Sequence, residues 1–314
     1  MVCMLTYIAR SLMTSFPKHW LYLHDGKPGH LSQLRGLSDA LISQQPDHTS
    51  SWLNVTTLSF TERLLARGEQ VNSLKSADVI IAAGHSTHWL ALLLGKKLRA
   101  HTAVLMRPSW PLAGFDSIIM PKHDATDIQV ASNIHLTEGA INALGQQDHE
   151  PKNKGLVLLG GQSKHFEWPC TQITRQVCAI IDSQPELEWM VADSRRSPDS
   201  QLLSIQTACP GTTVRSHNDC PKGWLAEQMR QANSIWVTPD SVSMVYEALS
   251  CGADVGLIEL PPKAQNRINR SMLSLIAEDK VSSVTQACVI NLASAPLPRL
   301  NEAQSAAMWL LSRV

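Results

Sequence analysis

The sequence lacks long apolar runs, and it lacks an excess of charge of either sign. No apolar run approaches the roughly 18 residues that a membrane-spanning helix needs. The 27 basic residues balance the 27 acidic residues, so the net charge gives no argument for binding nucleic acid or an anionic membrane surface. We therefore expect no nucleic-acid partner and no transmembrane segment. Any recognition of phosphate has to be local, made by helix ends and a few side chains.

Clustered cysteines are also missing. The seven cysteines are scattered through the chain without a CxxC pair or a zinc-ligand spacing. This pattern predicts reduced thiols and a cytoplasmic protein, and a peripheral position at the inner membrane is left open. Residues 1–18 have no basic n-region or clean cleavage site, so they read as an N-terminal extension rather than a signal peptide.

Several motifs of catalysis are absent. The sequence contains no GxSxG elbow, Walker A motif, EF-hand loop or DxD element, which argues against a hydrolase triad, an ATPase and a metal-bridged diphosphate. His85 and His88 are three residues apart in a predicted loop with no carboxylate beside them, so we predict no metal site.

What the chain does contain is a repeated alternation of short apolar, β-branched runs with amphipathic stretches. This alternation is typical of doubly wound α/β proteins. It begins at Trp20–Leu23 and begins again at Gly155–Leu159, after the polar segment Gln146–Lys154, which reads as a linker. The 314 residues suffice for two domains with separate cores. We predict one Rossmann-like domain over residues 19–150 and a second over residues 151–300.

Four polar turns follow predicted strands: Asp25–His30, Gly84–His88, Gly160–His165 and Asp240–Ser243. Parallel sheets place such turns at one edge, where open α/β sheets bind ligands. Two such domains that face each other would enclose a central cleft. In this interpretation the second domain holds a nucleotide diphosphate and the first holds the acceptor.

The segment Ser234–Gly252 reads as strand, tight turn and helix, a geometry that directs backbone N–H groups and a helix dipole at one point. An ordinary helix N-cap explains the same residues. The candidate binding residues of the second domain are Gly160, Gly161, Ser163, Lys164, Arg195, Asp240, Ser241, Ser243 and Glu247. Among these, Glu247 is predicted to accept hydrogen bonds from ribose hydroxyls. Gly160-Gly161 is also compatible with a plain tight turn, and Arg195-Arg196 with a solvated pair.

The candidate acid/base residues of the first domain are Asp25, His30 and His85. Asp25 and His30 could form an acid/base pair, although an Asp that only caps its turn fits the same sequence.

Several of these segments together resemble the ELM1 family, named after a plant mitochondrial-fission protein. The segments are DGKPGHLSQLRGL (25–37), AAGHSTH (82–88), GGQSKHFEW (160–168), DSRRSP (193–198) and TPDSVSMVYEAL (238–249). The resemblance implies a GT-B-type fold, with a nucleotide-sugar donor held mainly by the second domain. It also implies metal-independent transfer and a C-terminal helix, residues 301–314, that packs back on the first domain. The segment 238–249 is also similar to the donor-binding loop and helix of bacterial lipid-linked GlcNAc transferases.

The leading hypothesis is therefore an inverting glycosyltransferase that uses a nucleotide-diphosphate sugar as substrate and needs no further cofactor. Its acceptor is open, with a cell-envelope glycan or a lipid as candidates. Two alternatives stand beside it. One is a nucleotide-sugar epimerase on the same fold, and the other is an interaction protein without enzymatic activity.

Overall fold

A computed structural model of the chain describes residues 19–74, 76–109, 111–125, 128–146, 148–294 and 298–314. The predicted N-terminal extension, residues 1–18, lies outside these described residues. The contacts divide the chain into two units, Met1–Thr137 with Ala303–Val314, and Glu138–Glu302. Each unit is built on its own sheet.

The described part of the first unit contains a six-stranded parallel sheet with the strand order β2-β1-β3-β4-β5-β6. Its strands are β1 (His19–His24), β2 (Thr49–Asn54), β3 (Val79–Ala83), β4 (His101–Leu105), β5 (Ser117–Pro121) and β6 (Ile134–Thr137). Its helices are α1 (Pro28–Gln44), α2 (Phe60–Leu65), α3 (Glu69–Asn72) and α4 (His88–Leu98), together with the C-terminal α10 (Glu302–Leu311). β3 and β5 are buried along their whole length, as the near-continuous apolar runs of a covered parallel sheet require.

The described part of the second unit contains a seven-stranded sheet with the order β13-β12-β11-β10-β7-β8-β9, parallel except for the pair β12 and β13. Its strands are β7 (Lys154–Leu158), β8 (Glu188–Ala192), β9 (Thr213–Arg215), β10 (Ala232–Val237), β11 (Asp254–Ile258), β12 (Ser282–Val284) and β13 (Ile290–Asn291). Its helices are α5 (Cys170–Ser183), α6 (Ser200–Ala208), α7 (Trp224–Gln231), α8 (Val242–Cys251) and α9 (Arg267–Ala277).

The two faces of the second sheet have separate apolar cores, because side chains alternate along each strand. On β10, Ile235 and Val237 join one cluster with Leu156 of β7, whereas Trp236 joins the other cluster with Val157. Helices therefore cover both faces, and only the ends of the strands are left for polar turns.

The contacts place the division between the units at Thr137–Glu138, rather than at the predicted residue 150. The polar segment that reads as a linker packs along the second unit. Glu150 donates its backbone N–H to the carbonyl of Arg230 at 2.9 Å, and His149 Nε2 lies 2.8 Å from the carbonyl oxygen of Ala232. Backbone hydrogen bonds of this kind cannot be recognised from composition. The polar segment therefore resembled a linker between domains.

The C-terminal helix α10 belongs by its contacts to the first unit. The ring of Trp309 stacks on His135 of β6, with the ring centroids 5.1 Å apart. Ser305 Oγ lies 3.3 Å from Nε2 of the same histidine. One histidine on the outer strand thus holds the helix through an aromatic and a polar contact.

The prediction that all cysteines are reduced thiols is wrong for one pair. Cys178 of α5 and Cys209, the residue after α6, form a disulfide with their Cα atoms 6.1 Å apart. Their separation of 31 residues in sequence gives no hint that α5 and α6 pack side by side. Four of the other cysteines, Cys170, Cys220, Cys251 and Cys288, are free.

Within the described residues, no helix combines the length and the apolar character that crossing a bilayer would demand.

Gly256 on β11 provides a test of the packing between β10 and β11. A Cβ at this position would lie 2.4 Å from the ring of Trp236, which is fully buried. We expect Gly256→Ala to lower the free energy of unfolding by about 1–3 kcal/mol, because a buried indole has little room to move. Urea denaturation measures the change. Gly211→Ala is the control, since its Cβ would meet no atom within 4 Å. Equal denaturation midpoints for the two variants would contradict the packing described.

Candidate functional site

Each sheet has one point where the strand order reverses, and the polar turns gather there. In the first sheet this point lies between β1 and β3, and in the second it lies between β7 and β10. Ligands of open α/β proteins bind outside the carboxyl ends of the strands at such points, because the crossovers diverge and leave a crevice. The four turns predicted from the sequence directly follow these four strands.

At the first point, Asp25 and His30 form a hydrogen-bonded pair. His30 Nδ1 lies 2.7 Å from Asp25 Oδ1, and the Asp25 side chain is almost fully buried. Burial opposes ionisation of Asp25, but the hydrogen bonds from His30 and from the backbone N–H of Lys27 outweigh it, so that the pKa of Asp25 is lowered. An ionised carboxylate can only accept, so the proton sits on Nδ1 of His30 and the Nε2 of a neutral ring carries a lone pair. This is the arrangement of an oriented general base.

Gly84 makes the close approach of this pair to β3 possible. Its φ is +101°, and a Cβ would lie 2.6 Å from His30 Nδ1 and 2.7 Å from Asp25 Oδ2. Only glycine combines this backbone conformation with the absence of a side chain. Lys27 adds a positive charge on the solvent side, with its Nζ 3.3 Å from Asp25 Oδ2.

His85 lies in the turn after β3, but it does not join the Asp25–His30 pair. Its Nδ1 is 2.9 Å from Ser109 Oγ, and Nδ1 of His88 lies 3.3 Å from the same oxygen. His88 is buried, and burial, followed by the nearby His85 and His30, lowers its pKa to about 4. His88 is therefore neutral at physiological pH. The first unit thus carries two polar groups near Gly84. One is the Asp25–His30 pair, which the sequence predicted, and the other is formed by His85, His88 and Ser109.

At the second point, the turn after β7 is held by hydroxyl groups. Gly160 donates its N–H to Thr238 Oγ1 at 2.7 Å, which ties the ends of β7 and β10 together. The carbonyl of Gly160 accepts hydrogen bonds from Ser194 Oγ and from Ser197 Oγ. The turn that reads as a plain glycine turn is therefore fixed from both neighbouring strands.

Gly161 packs directly on the loop after β8. Its φ is +131°, and a Cβ would lie 2.1 Å from the backbone carbon of Arg196. Gln162 donates its N–H to the carbonyl of Arg196 at 3.0 Å. No larger residue fits at Gly161 without moving this loop.

Arg196 makes an internal contact, whereas Arg195, the predicted binding residue of the pair, does not. Arg196 Nη1 lies 2.8 Å from Asp240 Oδ2, as an ion pair that is not aligned as a hydrogen bond. Arg195 is exposed, and the structure gives it no partner within the described residues. It is therefore free to meet a ligand from solvent, whereas Arg196 is engaged.

Asp240 does not offer an open binding group. Its side chain is fully enclosed, and a Cβ on Gly160 would lie 2.2 Å from Asp240 Oδ2. Burial raises the pKa of Asp240, and the nearby Thr238 hydroxyl and the charge of Arg196 oppose this only in part. We therefore assign Asp240 to holding the turns together rather than to contacting a ligand.

Ser163 and Lys164 extend from the turn after Gly161. Ser163 Oγ accepts the backbone N–H groups of His165 and Phe166 at 3.2 and 3.1 Å, which leaves the hydroxyl proton for another acceptor. Lys164 is exposed. Lys263, which the sequence did not indicate, donates to the Ser163 carbonyl at 2.9 Å and brings a second amine to this turn.

The start of α8 presents unpaired backbone donors. Ser241 is its N-cap residue, but its side chain makes no capping hydrogen bond, so the first N–H groups of the helix are not satisfied by it. Ser243 is exposed in the first turn. Glu247 follows one turn later, and burial raises its pKa to about 7 although its side chain is only partly covered.

No three His, Cys, Asp or Glu side chains of the described residues are grouped so that they could hold a metal ion. The metal-independent chemistry implied by the family stays a prediction.

The residues that the sequence did not reveal are hydroxyl groups at the ends of neighbouring strands. Ser109, Thr238, Ser194 and Ser197 all act through the tertiary structure, by bridging turns that are distant in sequence. Their common signal is position, since each follows a strand of a parallel sheet within a few residues. Serine and threonine are too frequent in turns for that signal to single them out.

Two Rossmann-like units with ligand-type turns at their switch points define a GT-B-type α/β protein. The fold is similar over nearly the whole chain to that of several solved structures. MnaA of S. aureus, solved with UDP, has a TM-score of 0.53 at 12% identity, over 94% of this chain and 98% of that one. The UDP-GlcNAc 2-epimerase from Methanocaldococcus jannaschii has 0.52 at 11% identity, over 92% and 91%. MurG of Acinetobacter baumannii has 0.50 at 14% identity, over 95% and 91%.

The chain belongs to the family described as Mitochondrial fission ELM1, whose sequence profile matches residues 28–314. The resemblance drawn from the motifs is thereby confirmed. An uncharacterised protein of Rickettsia prowazekii (strain Madrid E), RP120, is 25% identical over an alignment that covers 73% of this chain and 78% of the relative.

Gly84 allows a direct test of the first site. We expect Gly84→Ala to lower the free energy of unfolding by about 1–3 kcal/mol, because the added Cβ meets both members of the Asp25–His30 pair in a strained backbone conformation. Gly29→Ala, in the first turn of α1, is the matched control, since its Cβ meets nothing within 4 Å and alanine favours helix. Urea denaturation should separate the two variants. A Gly84→Ala protein as stable as Gly29→Ala would contradict the geometry.

The raised pKa of Glu247 predicts that the stability of the protein depends on pH. Its pKa in the folded protein, about 7, lies above the ordinary value, so the folded state keeps a proton that the unfolded state releases. The resulting stability is fully present below the ordinary pKa of glutamate, about 4.3, and is lost as the pH rises toward 7. Gln at this position cannot ionise. We expect Glu247→Gln to exceed the native protein in unfolding free energy by about 1–3 kcal/mol at pH 8, with a smaller gap at pH 5.

Urea denaturation between pH 5 and pH 8 measures this gap. Glu186→Gln is the control, because Glu186 is an exposed glutamate of the same unit. A gap that is constant with pH, or equal for both variants, would show that Glu247 ionises as an ordinary glutamate.

Proposed function

We propose that the protein is a glycosyltransferase that uses a nucleotide-diphosphate sugar, bound mainly by the second unit. The observation that carries this proposal is the convergence at the switch point between β7 and β10. The turn Gly160–His165, with Ser163 and Lys164, and the start of α8 both follow these adjacent strands. Backbone N–H groups at a helix start and a lysine favour a diphosphate. Membership of the ELM1 family and the GT-B-type fold support the same assignment.

In this proposal, different residues of the second unit bind different parts of the donor. The α8 N-terminus, Ser163 and Lys164 hold the diphosphate, and Arg195 approaches it from solvent. Glu247 accepts hydrogen bonds from the ribose. Such bonds favour the ionised carboxylate, so binding lowers the raised pKa of Glu247.

The first unit supplies the base. His30 Nε2 takes the proton of an acceptor hydroxyl, and Asp25 stabilises the imidazolium that forms. The acceptor oxygen then bonds to the anomeric carbon while the bond from that carbon to the diphosphate oxygen breaks. The departing diphosphate carries the electron pair, and Lys164, Arg195 and the helix dipole stabilise its charge. The direct displacement inverts the anomeric configuration.

A nucleotide-sugar epimerase is the second candidate. It is favoured by the likeness of the fold to the UDP-GlcNAc 2-epimerase from Methanocaldococcus jannaschii. An epimerase converts the nucleotide sugar without a separate acceptor, so the products from the donor alone distinguish the two reactions. An interaction protein without activity would keep its biological role when Asp25 and Glu247 are replaced by their amides.

Binding is tested first, by thermal shift with UDP, GDP, CMP and dTDP sugars. A donor at about one hundred times its Kd is expected to stabilise the protein by about 2.7 kcal/mol. We expect Lys164→Ala and Glu247→Gln to reduce the shift, and Lys222→Ala, an exposed lysine of the same unit, to leave it unchanged. No shift with any nucleotide would contradict the proposal.

The reaction is tested by NMR with the donor that binds. A transferase consumes the donor only when an acceptor is present, apart from slow hydrolysis, and Asp25→Asn removes transfer while the donor still binds. A change of sugar configuration with the donor alone would establish the epimerase instead.

A further inference from the structure

Helix α2 of the first unit holds its apolar side chains in solvent. None of its residues is buried, and Phe60, Leu64 and Leu65 are 70%, 44% and 57% exposed. Trp89 at the start of α4 is 37% exposed, and its Nε1 donates to the carbonyl of Leu64 at 3.1 Å. We call these four side chains the α2 patch. Single exposed apolar residues are ordinary, but a group of large ones on adjoining helices indicates an interaction surface.

The α2 helix is firmly attached although it buries no side chain. Its N-terminus has a capping box, in which Ser59 donates its backbone N–H to the Glu62 carboxylate at 2.8 Å and Ser59 Oγ accepts the N–H of Glu62 at 3.3 Å. At its other end, Lys97 Nζ of α4 donates to the carbonyl of Ala66 at 3.2 Å. The apolar face is therefore presented in a fixed position. A surface that is already ordered binds a partner at a lower entropic cost.

Basic residues belong to the same two helices and their ends. They are Arg63 and Arg67, in and just after α2, and Lys96 and Lys97, in the last turn of α4. Within the part of the chain that the structure describes, none of the four forms an ion pair. The acidic residues of this segment are Glu62, which serves the capping box, and Glu69. A chain with no net charge thus carries a local excess of positive charge beside an apolar surface.

We propose that the α2 patch docks on the surface of an anionic phospholipid bilayer. Phenylalanine, leucine and tryptophan side chains flanked by lysine and arginine are the composition of helices that lie in the membrane interface. The amphipathic ring of Trp89 suits the headgroup level, and the basic residues meet the lipid phosphates. Lysine is depleted in protein–protein interfaces, so Lys96 and Lys97 favour a lipid surface over a protein partner.

The patch adjoins the candidate site of the first unit. Trp89 directly follows His88, the last residue of the turn after β3, and Gly84 of the same turn packs against Asp25 and His30. A protein docked through this patch holds the carboxyl edge of its first sheet close to the membrane. This position fits an acceptor hydroxyl carried by a lipid. The acceptor class rests on the proposed function, whereas the docking follows from the surface alone.

The test is flotation of the full chain with vesicles. One vesicle preparation consists of phosphatidylcholine, and the other of equal parts of phosphatidylcholine and phosphatidylglycerol. We expect the protein to float with the anionic vesicles and to stay behind with the neutral ones. Binding should decline as salt is raised from 0.1 M to 1 M, because the Debye length falls from about 10 Å to about 3 Å.

Variants locate the contact. We expect Phe60→Ala and Leu65→Ala each to weaken binding to the anionic vesicles about tenfold, because each removes an apolar side chain that enters the interface. Lys96→Gln should weaken it about fivefold, through the loss of one charge near the lipid phosphates. The controls are Leu203→Ala and Lys222→Gln, which replace exposed residues of the second unit and should leave binding unchanged. All five side chains are exposed, so equal urea midpoints should verify that the variants are folded.

Four outcomes would overturn the proposal. They are no binding to the anionic vesicles, equal binding to both vesicle types, binding that Phe60→Ala and Leu65→Ala leave unchanged, and a dimer in size-exclusion chromatography that Phe60→Ala splits into monomers. The last would identify a second copy of the chain as the occupant of the patch. The vesicle experiment needs no nucleotide, and Phe60→Ala should keep the thermal shift with a nucleotide sugar. Failure of docking and failure of the proposed glycosyl transfer are therefore seen in separate measurements.

Discussion

The reversal of strand order in each parallel sheet is the constraint on which the rest of the molecule depends. Crossover helices cover both faces of each sheet, so polar groups can collect only at the strand ends. At the reversal the chain leaves two adjacent strands in opposite directions, and their turns are not covered by a common crossover. Asp25 and Gly84 come together at one reversal, and Gly160 and Asp240 at the other. In both places a glycine borders a strand end because a carboxylate occupies the space where its Cβ would be.

The carboxylates of Asp25 and Asp240 lie at similar positions in the two sheets, but their pKa values are shifted in opposite directions. Asp25 receives hydrogen bonds from His30 and Lys27, which lower its pKa in spite of burial. Asp240 is more completely enclosed, so burial dominates and its pKa is raised. An ionised Asp25 can orient and stabilise a cationic imidazole, which is a role in acid/base chemistry. Asp240 engages Arg196 instead, so the positive charge left for a bound anion near this turn belongs to Lys164, Arg195 and Lys263.

The sequence predicted the strands and their turns well, because apolar runs bounded by glycine and polar residues are local signals. It missed α6 and α9, where serine and asparagine interrupt the helical pattern, and the short strands β6, β12 and β13. The family resemblance implied the packing of the C-terminal helix on the first unit, but side-chain contacts between distant elements were missed. The Cys178–Cys209 disulfide, the ion pair of Arg196 with Asp240 and the bridge made by Ser109 join residues from different turns or helices. Spacing along a chain does not contain this information, whereas strand order does.

Sequence spacing and fold also leave open which of the candidate reactions the protein performs. The side chains at the first switch point bear on that choice. A fold shared at 11–14% identity with an epimerase and with MurG does not choose between transfer and epimerisation. The chemistry of the first unit is more selective. An imidazole oriented by a single carboxylate is a base of moderate strength, suited to a hydroxyl proton that is released as its oxygen forms a new bond. Removing a proton from carbon requires in addition a strong stabilisation of the carbanion, by charges or donors placed beside it. The Asp25–His30 pair alone supplies no such stabilisation, so its chemistry fits transfer better than epimerisation.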